Sequence, residues 1–222
     1  MSGKPPKKSD MGKAWMKPRR DSRQMIAPEY HLIVTEGTET EPQYFGAMKT
    51  VIDQKYRDRI HLDITGKGDN TLSLFARAVQ DVSKSNNVYK HVWLVFDKDD
   101  FPAEQFDRTV ALCDASSTSE TTFHAAWSNQ CIELWFLLHF SFFQSNLHRS
   151  EYWPKLSDCL VKISGKKYRK NRPDMYEILR PFLDVAIRNA AMLEERNKGK
   201  QPSQSAPGTA VYRLIETLRP YL

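Results

Sequence analysis

The sequence predicts an α/β protein built on a mostly parallel sheet of four strands or slightly more, flanked by helices, with a helical C-terminal part. Three observations carry that prediction. Short β-branched or apolar runs alternate with stretches of helical spacing up to about residue 130, and parallel strands need such helical crossovers. One run, Val92 to Phe96, is apolar at every position, as a central strand covered on both faces must be. The 222 residues, 40% hydrophobic and 27% charged, suffice for one sizeable core and exclude collagen, coiled coil and full disorder.

Tyr30 to Thr35 is a β-branched run that stops at Glu36-Gly37 and reads as a buried strand. Thr40-Glu41-Pro42 then opens a helix that carries Phe45, Met48, Ile52 and Tyr56 at helical spacing. Ile60, Leu62 and Ile64 alternate with His61 and Asp63 as a second strand, which ends at the loop Gly66 to Asn70. Leu72, Phe75, Ala76, Val79 and Val82 mark a second helix, and Val92 to Phe96 forms the third strand, ending at Asp97. A helix over Ala103 to Asp114, a turn at Ser116 to Ser119 and a fourth strand over Thr122 to Trp127 complete the alternation. Beyond it the pattern is helical: Ile132 to Phe140, Glu151 to Ile163, Asp174 to Glu195 with a kink at Pro181, and Ala210 to Leu218 after a polar loop from Asn197 to Gly208. The aromatics Trp135, Phe136, Phe140, Phe142 and Phe143 read as core or as a partner surface, their density favouring the surface.

Charge divides the chain. The net charge is +6, from 33 Lys and Arg against 27 Asp and Glu. The first 24 residues hold eight basic groups (Lys4, Lys7, Lys8, Lys13, Lys17, Arg19, Arg20, Arg23) and two acidic ones (Asp10, Asp21), so the remainder carries 33 − 8 = 25 basic and 27 − 2 = 25 acidic. Residues 1–28 are therefore expected to be a disordered basic arm, either merely solubilising or a tether to phosphates. Residues 29–140 are expected to form the α/β core, and 141–222 a helical extension packed on it. Three cysteines without a CxxC argue against a disulfide framework and for a reducing cytoplasm. No apolar run approaches the roughly 20 residues of a membrane span. There is no GxxxxGK[ST] and no GxSxG. The six histidines lie far apart without an HxxxH, so spacing predicts no zinc site.

In an open α/β sheet, ligands collect at the carboxyl ends of the strands, and acidic groups fall there. Glu36 follows the first strand, Asp97 and Asp99 follow the third, and Glu133 lies just past the fourth. On an extended chain Asp97 and Asp99 would point to one side, with Lys98 and Asp100 facing elsewhere. Carboxylates that close repel unless a cation neutralises them, and oxygen donors suit Mg²⁺ or Mn²⁺. A second feature is the basic stretch Lys162, Lys166, Lys167, Tyr168, Arg169, Lys170 and Arg172. Its cations suit phosphates and its aromatic ring an unpaired base; the alternative is a solvated surface.

The segments IVTEG (33–37), FDKDD (96–100), WSNQCIELWFLLHF (127–140) and PGTAVYRLIETL (207–218) resemble the RloB family of prokaryotic defence proteins, grouped also with AbiL-type abortive-infection components. The likeness covers essentially Tyr30 to Leu222. That family is similar to the Toprim fold of topoisomerases, primases and nucleases. The resemblance implies that Glu36, Asp97 and Asp99 bind Mg²⁺ or Mn²⁺, that Glu133 joins them in catalysis, and that Ser128 belongs to the last motif. Toprim relatives place an acidic residue four positions after the first glutamate; here it is Thr40, flanked by Glu39 and Glu41. Either one of these substitutes or a single metal is held. Asp100 is a further supporting acidic group. The implied activity is phosphodiester hydrolysis of RNA, including tRNA, or of DNA in anti-phage defence, with an ABC- or AAA-type ATPase as partner. The assembly, including a homodimer, is left open. The alternative is a non-catalytic Toprim scaffold that senses nucleic acid or nucleotide.

Overall fold

The computed structural model describes residues 27–66, 68 and 71–222. The expected basic arm therefore lies almost wholly outside the described residues, as do Lys67, Asp69 and Asn70 of the loop after the second strand. The elements alternate as β1 (Glu29–Thr35), α1 (Thr40–Tyr56), β2 (Ile60–Gly66), α2 (Thr71–Lys84), β3 (Tyr89–Asp97), α3 (Ala103–Ala115) and β4 (Thr122–Asn129). Then come α4 (Glu133–Leu138), α5 (Arg149–Ser164), α6 (Met175–Leu179), α7 (Leu183–Arg196), β5 (Gly208–Thr209) and α8 (Val211–Leu218). The expected long helix from Asp174 is broken by a 3₁₀ turn at Arg180–Phe182, where Pro181 has no N–H to continue the α-helical bonds. The polar loop before α8 adds a short fifth strand: Gly208 and Thr209 pair antiparallel with Asn129 and Ser128.

The strand order is β2-β1-β3-β4-β5, and the first four strands are parallel. After β1 the chain moves outward to β2, then returns past β1 to β3. The connections at the carboxyl ends of β1 and β3 therefore diverge, and the gap between them is the switch point where such sheets hold ligands.

Both sheet faces are covered. Leu32, Val34, Val92, Leu94 and Phe96 pack with Leu74, Ala78 and Phe106 of α2 and α3. On the opposite face Ile33, Trp93, Val95 and Ala126 share one core with α1 and with the helices beyond residue 130, including Trp135, Leu160, Ala186 and Leu214. Residues 141–222 thus have no core separate from that of the sheet. Trp135 and Phe136 are fully buried, and Trp135 Nε1 donates to Tyr44 Oη at 3.0 Å. Phe140, Phe142 and Phe143 are partly buried against the same core. The aromatic density after Glu133 is core, which corrects the expectation of a partner surface. A helix buried on nearly every side reads as apolar all round, and sequence density cannot distinguish that from an interface.

Candidate active site

A cavity of about 280 Å³ opens at the β1/β3 switch point. Its lining includes Glu36, Glu39, Glu41, Asp97, Asp99 and Glu133, with Arg149, Trp153 and Lys170. Four segments bring these carboxylates together: the turn after β1, the first turn of α1, the end of β3 and the start of α4.

Glu36 follows the last residue of β1, and its N–H donates to Val95 O at 2.9 Å. Its carboxylate accepts from Asp97 N–H at 3.2 Å. Burial is the main force pushing its pKa up, to about 7, and the Asp99 and Glu41 carboxylates push in the same direction. Asp97 closes β3; its Oδ2 accepts from Ile132 N–H at 3.2 Å, while its Oδ1 is buried without a partner. Burial, then the nearby Glu41, Glu133, Asp99 and Glu36, raises its pKa well above the usual carboxylate range.

Asp99 reaches the cavity by another route than sequence spacing suggests. The strand stops at Asp97, and Asp99 lies in a turn with φ 39. Its N–H donates to Gln130 O at 2.9 Å, which pins the turn after β3 to the turn after β4. Asp99 Oδ2 meets Arg149 Nη1 at 2.7 Å, and its Oδ1 is buried without a partner. Lys98 turns away, with Nζ donating to Phe101 O.

Of the two glutamates that flank Thr40, Glu41 lies deeper in the cavity. It sits in the first turn of α1 and is buried, whereas Glu39 is exposed on the cavity rim. Burial is also the leading cause that raises the Glu41 pKa. Gly37 makes room for it: a Cβ there would stand 2.0 Å from Glu41 Oε2. The Glu36-Gly37 pair, read as a turn, thus also seats a second glutamate. Glu133 is buried at the start of α4, and its Oε1 accepts from Tyr168 Oη at 2.7 Å.

Several expected site residues lie elsewhere. The Ser128 hydroxyl is buried and shares a hydrogen bond of 3.1 Å with Thr209 Oγ1 of β5, so it braces the sheet edge and does not line the cavity. Asp100 is exposed and pairs with Arg149 Nη2 at 3.0 Å, outside the cavity lining. Tyr168 is buried on Glu133, so its ring is not offered to a base. Arg172 is largely buried, bonded to Asp174, Ser164 and the carbonyls of Lys166 and Lys167; it braces the basic loop and lines the hollow beside it, away from the carboxylate cavity. Lys162 is exposed on α5, away from the cavity. Of the basic stretch, Lys170 alone reaches the cavity. Its carbonyl accepts from Thr40 Oγ1 at 2.7 Å, and its ammonium lies 5.1 Å from the Trp153 ring centroid. Lys166, Lys167 and Arg169 line a neighbouring hollow of about 790 Å³.

Arg149 and Trp153 were not singled out from sequence. Their four-residue spacing puts both on one face of α5, but nothing in that helix shows that this face meets the end of β3.

The donor chemistry fits a hard divalent cation. Glu36, Glu41, Asp97, Asp99 and Glu133 are all oxygen donors, and two buried oxygens, Asp97 Oδ1 and Asp99 Oδ1, have no partner. Buried acceptors are rarely left unpaired. Among the described residues, no three of these carboxylates bring oxygens all within 4.8 Å of one another, so a cation held by one or two of them, with waters in its other positions, fits this arrangement and three direct carboxylate ligands would require the side chains to close in.

No curated protein and no solved structure matches the chain. The family model described as RloB-like protein matches residues 31–218, a span that contains every residue of the carboxylate cavity. With that match over most of its length, the chain belongs to the RloB-like protein family.

Proposed function

We propose that this RloB-like chain is a metal-dependent nuclease of Toprim type that hydrolyses phosphodiesters in RNA or DNA during prokaryotic anti-phage defence. One observation carries the reading: five carboxylates with two unpaired buried oxygens meet at the switch point of a parallel sheet, under the cations of Arg149 and Lys170. Glu36, Asp97 and Asp99 are the residues that would hold Mg²⁺ or Mn²⁺, with Glu41 and Glu133 completing the acidic wall. A bound divalent ion supplies Lewis-acid stabilisation of charge on phosphoryl oxygens and lowers the pKa of its water.

The protein's own groups supply the rest. Arg149 and Lys170 attract a phosphodiester to the mouth of an otherwise acidic cavity, and Lys166, Lys167 and Arg169 extend the cationic path along the flanking backbone. Where Glu36 is not itself a metal ligand it is the candidate general base, since burial raises the pKa of its carboxyl to about 7 in the metal-free site, the range suited to accepting a proton from water. Tyr168 orients Glu133 through its hydroxyl. A chain with this activity needs restraint, which the ATPase partner implied by the family resemblance would supply.

The test is incubation of wild-type and Glu36→Ala protein with tRNA, mRNA, single-stranded DNA and duplex DNA, in Mg²⁺, in Mn²⁺ and in EDTA. Cleavage by wild type that needs metal and is lost in Glu36→Ala is the expected result, and the substrate cleaved names the class. Nucleic-acid binding without cleavage in any metal, even with the ATPase partner present, overturns the catalytic reading in favour of a sensor.

A further inference from the structure

At the other end of the sheet, three histidines, His31, His91 and His124, far apart in sequence, come together. His31 and His91 are register partners on the neighbouring strands β1 and β3, and their ring centroids lie 4.7 Å apart. Glu29 Oε2 stands 3.6 Å from His31 Nε2. Among the described residues, Glu29, His31 and His91 are the trio of His, Cys, Asp or Glu whose ligand atoms all fall within 4.8 Å of one another. Sequence spacing predicted no such cluster; strand order creates it.

Three features mark this as more than chance packing. His31 is 1% exposed; its Nδ1 has no hydrogen-bond partner, and its Nε2 faces only Glu29 Oε2, at 3.6 Å. Buried polar atoms are rarely left this way. The β1–β3 register shifts at Tyr30/His31, because Tyr30 pairs with Tyr89 and His31 with His91, leaving Lys90 as the extra residue. Such bulges re-aim side chains and gather near functional sites. Finally, His91 Nδ1 lies 2.9 Å from His124 Nε2, and the His124 ring is stacked on Trp93 at 4.0 Å. Metal-bound histidines usually donate their second ring N–H to a fixed acceptor, which sets the tautomer.

We propose that Glu29, His31 and His91 form a cation site for a borderline transition metal of the Zn²⁺ class, with His124 as the positioning residue for His91. The site requires the tautomer in which His91 Nδ1–H donates to His124 Nε2, which leaves the His91 Nε2 lone pair for the metal. Two imidazole nitrogens and one carboxylate are the donor set Zn²⁺ takes, with a fourth position left for water; Mg²⁺ prefers all-oxygen surroundings. Lys90, paired with Glu29 Oε1, leaves Oε2 facing His31. The site bridges the starts of β1 and β3, and it does not depend on the nuclease reading.

The experiment is equilibrium dialysis of the EDTA-stripped full chain against Zn²⁺ in excess Mg²⁺, with Co²⁺ as the spectroscopic probe. Wild type is expected to bind one equivalent that Mg²⁺ does not displace, with the visible bands of tetrahedral Co²⁺. His91→Gln removes that equivalent, and His124→Ala weakens it about 10- to 100-fold. Glu36→Gln and Asp97→Asn, at the far end of the sheet, leave it intact. Because His91→Gln can disturb the core, Glu29→Gln provides the control: Glu29 is partly exposed, and its loss should abolish the Zn²⁺-induced rise in thermal midpoint without lowering the metal-free one. The proposal is overturned by no stoichiometric Zn²⁺ binding, by full binding in His91→Gln and Glu29→Gln, or by binding that follows Asp97.

Discussion

At their carboxyl ends β1 and β3 deliver Glu36 and Asp97; five and six residues earlier the same strands deliver His31 and His91. At strand rise, the two groups stand roughly 17–20 Å apart. One end collects carboxylates and the other imidazoles with the single carboxylate of Glu29, so one sheet presents oxygen donors at the carboxyl ends of its strands and mainly nitrogen donors at their starts. The difference lies in what burial does to each set. Burial penalises the charged form of both, but a neutral imidazole remains a ligand, whereas the carboxylates are held in mutual repulsion until a cation or proton relieves it.

The largest expected effect separates the ends by function. Asp97→Ala combined with Asp99→Ala should reduce metal-dependent cleavage by at least the order of 10²- to 10³-fold that follows loss of a single transition-state-stabilising group, while Zn²⁺ uptake at the histidine end stays unchanged. Loss of both together would mean that the ends are not independent, against the additivity expected of sites this far apart. Next comes Tyr168→Phe, which strips Glu133 Oε1 of its buried donor. It should lower stability by about 1–3 kcal/mol in denaturant melts and reduce cleavage less than the aspartate pair does. Gly37→Ala should be milder for the fold, because the clash falls on the end of the flexible Glu41 side chain. Its effect should fall on cleavage and on Mg²⁺ affinity, and unchanged values of both would remove Glu41 from the site.

The smallest effect is on pH dependence. Glu36 has a folded-state pKa of about 7 against an ordinary 4.5, so its contribution to stability is fully present below 4.5 and is lost as pH rises through about 7. Asp97 and Glu41 are shifted in the same direction. In EDTA, melting should therefore weaken between about pH 5 and about pH 8, and Mg²⁺ should restore more at the upper end. Glu36→Gln should flatten that slope; an unaltered slope would refute the assignment.

The comparison also shows what a sequence can reveal. Glu36 and Asp97 were legible because each sits at the end of its own strand, which is written locally in an apolar run, and Glu133 because the helix it opens follows β4 within a few residues. Glu41 was legible only as one of two flanking choices, since the deciding contact is with Gly37. Asp99 was found by a wrong route, because a left-handed turn replaces the extended chain that the spacing implied. Ser128 and Tyr168 were misplaced because β5 and the contact with Glu133 depend on partners 81 and 35 positions away. The histidine cluster was illegible, for its members meet only through the order β1-β3-β4 and a bulge at Lys90.

The hydrogen bond from Tyr168 to Glu133, with Thr40 Oγ1 donating to the Lys170 carbonyl, bears on how the protein can be divided. The cavity wall is sealed by the loop between α5 and α6, and the helices of that half complete the core under β1 and β3. A fragment ending near Phe140 would keep the acidic groups Glu36, Asp97, Asp99 and Glu133 and lose what shapes them. Truncation at that boundary should therefore yield an insoluble or molten product, not a minimal enzyme.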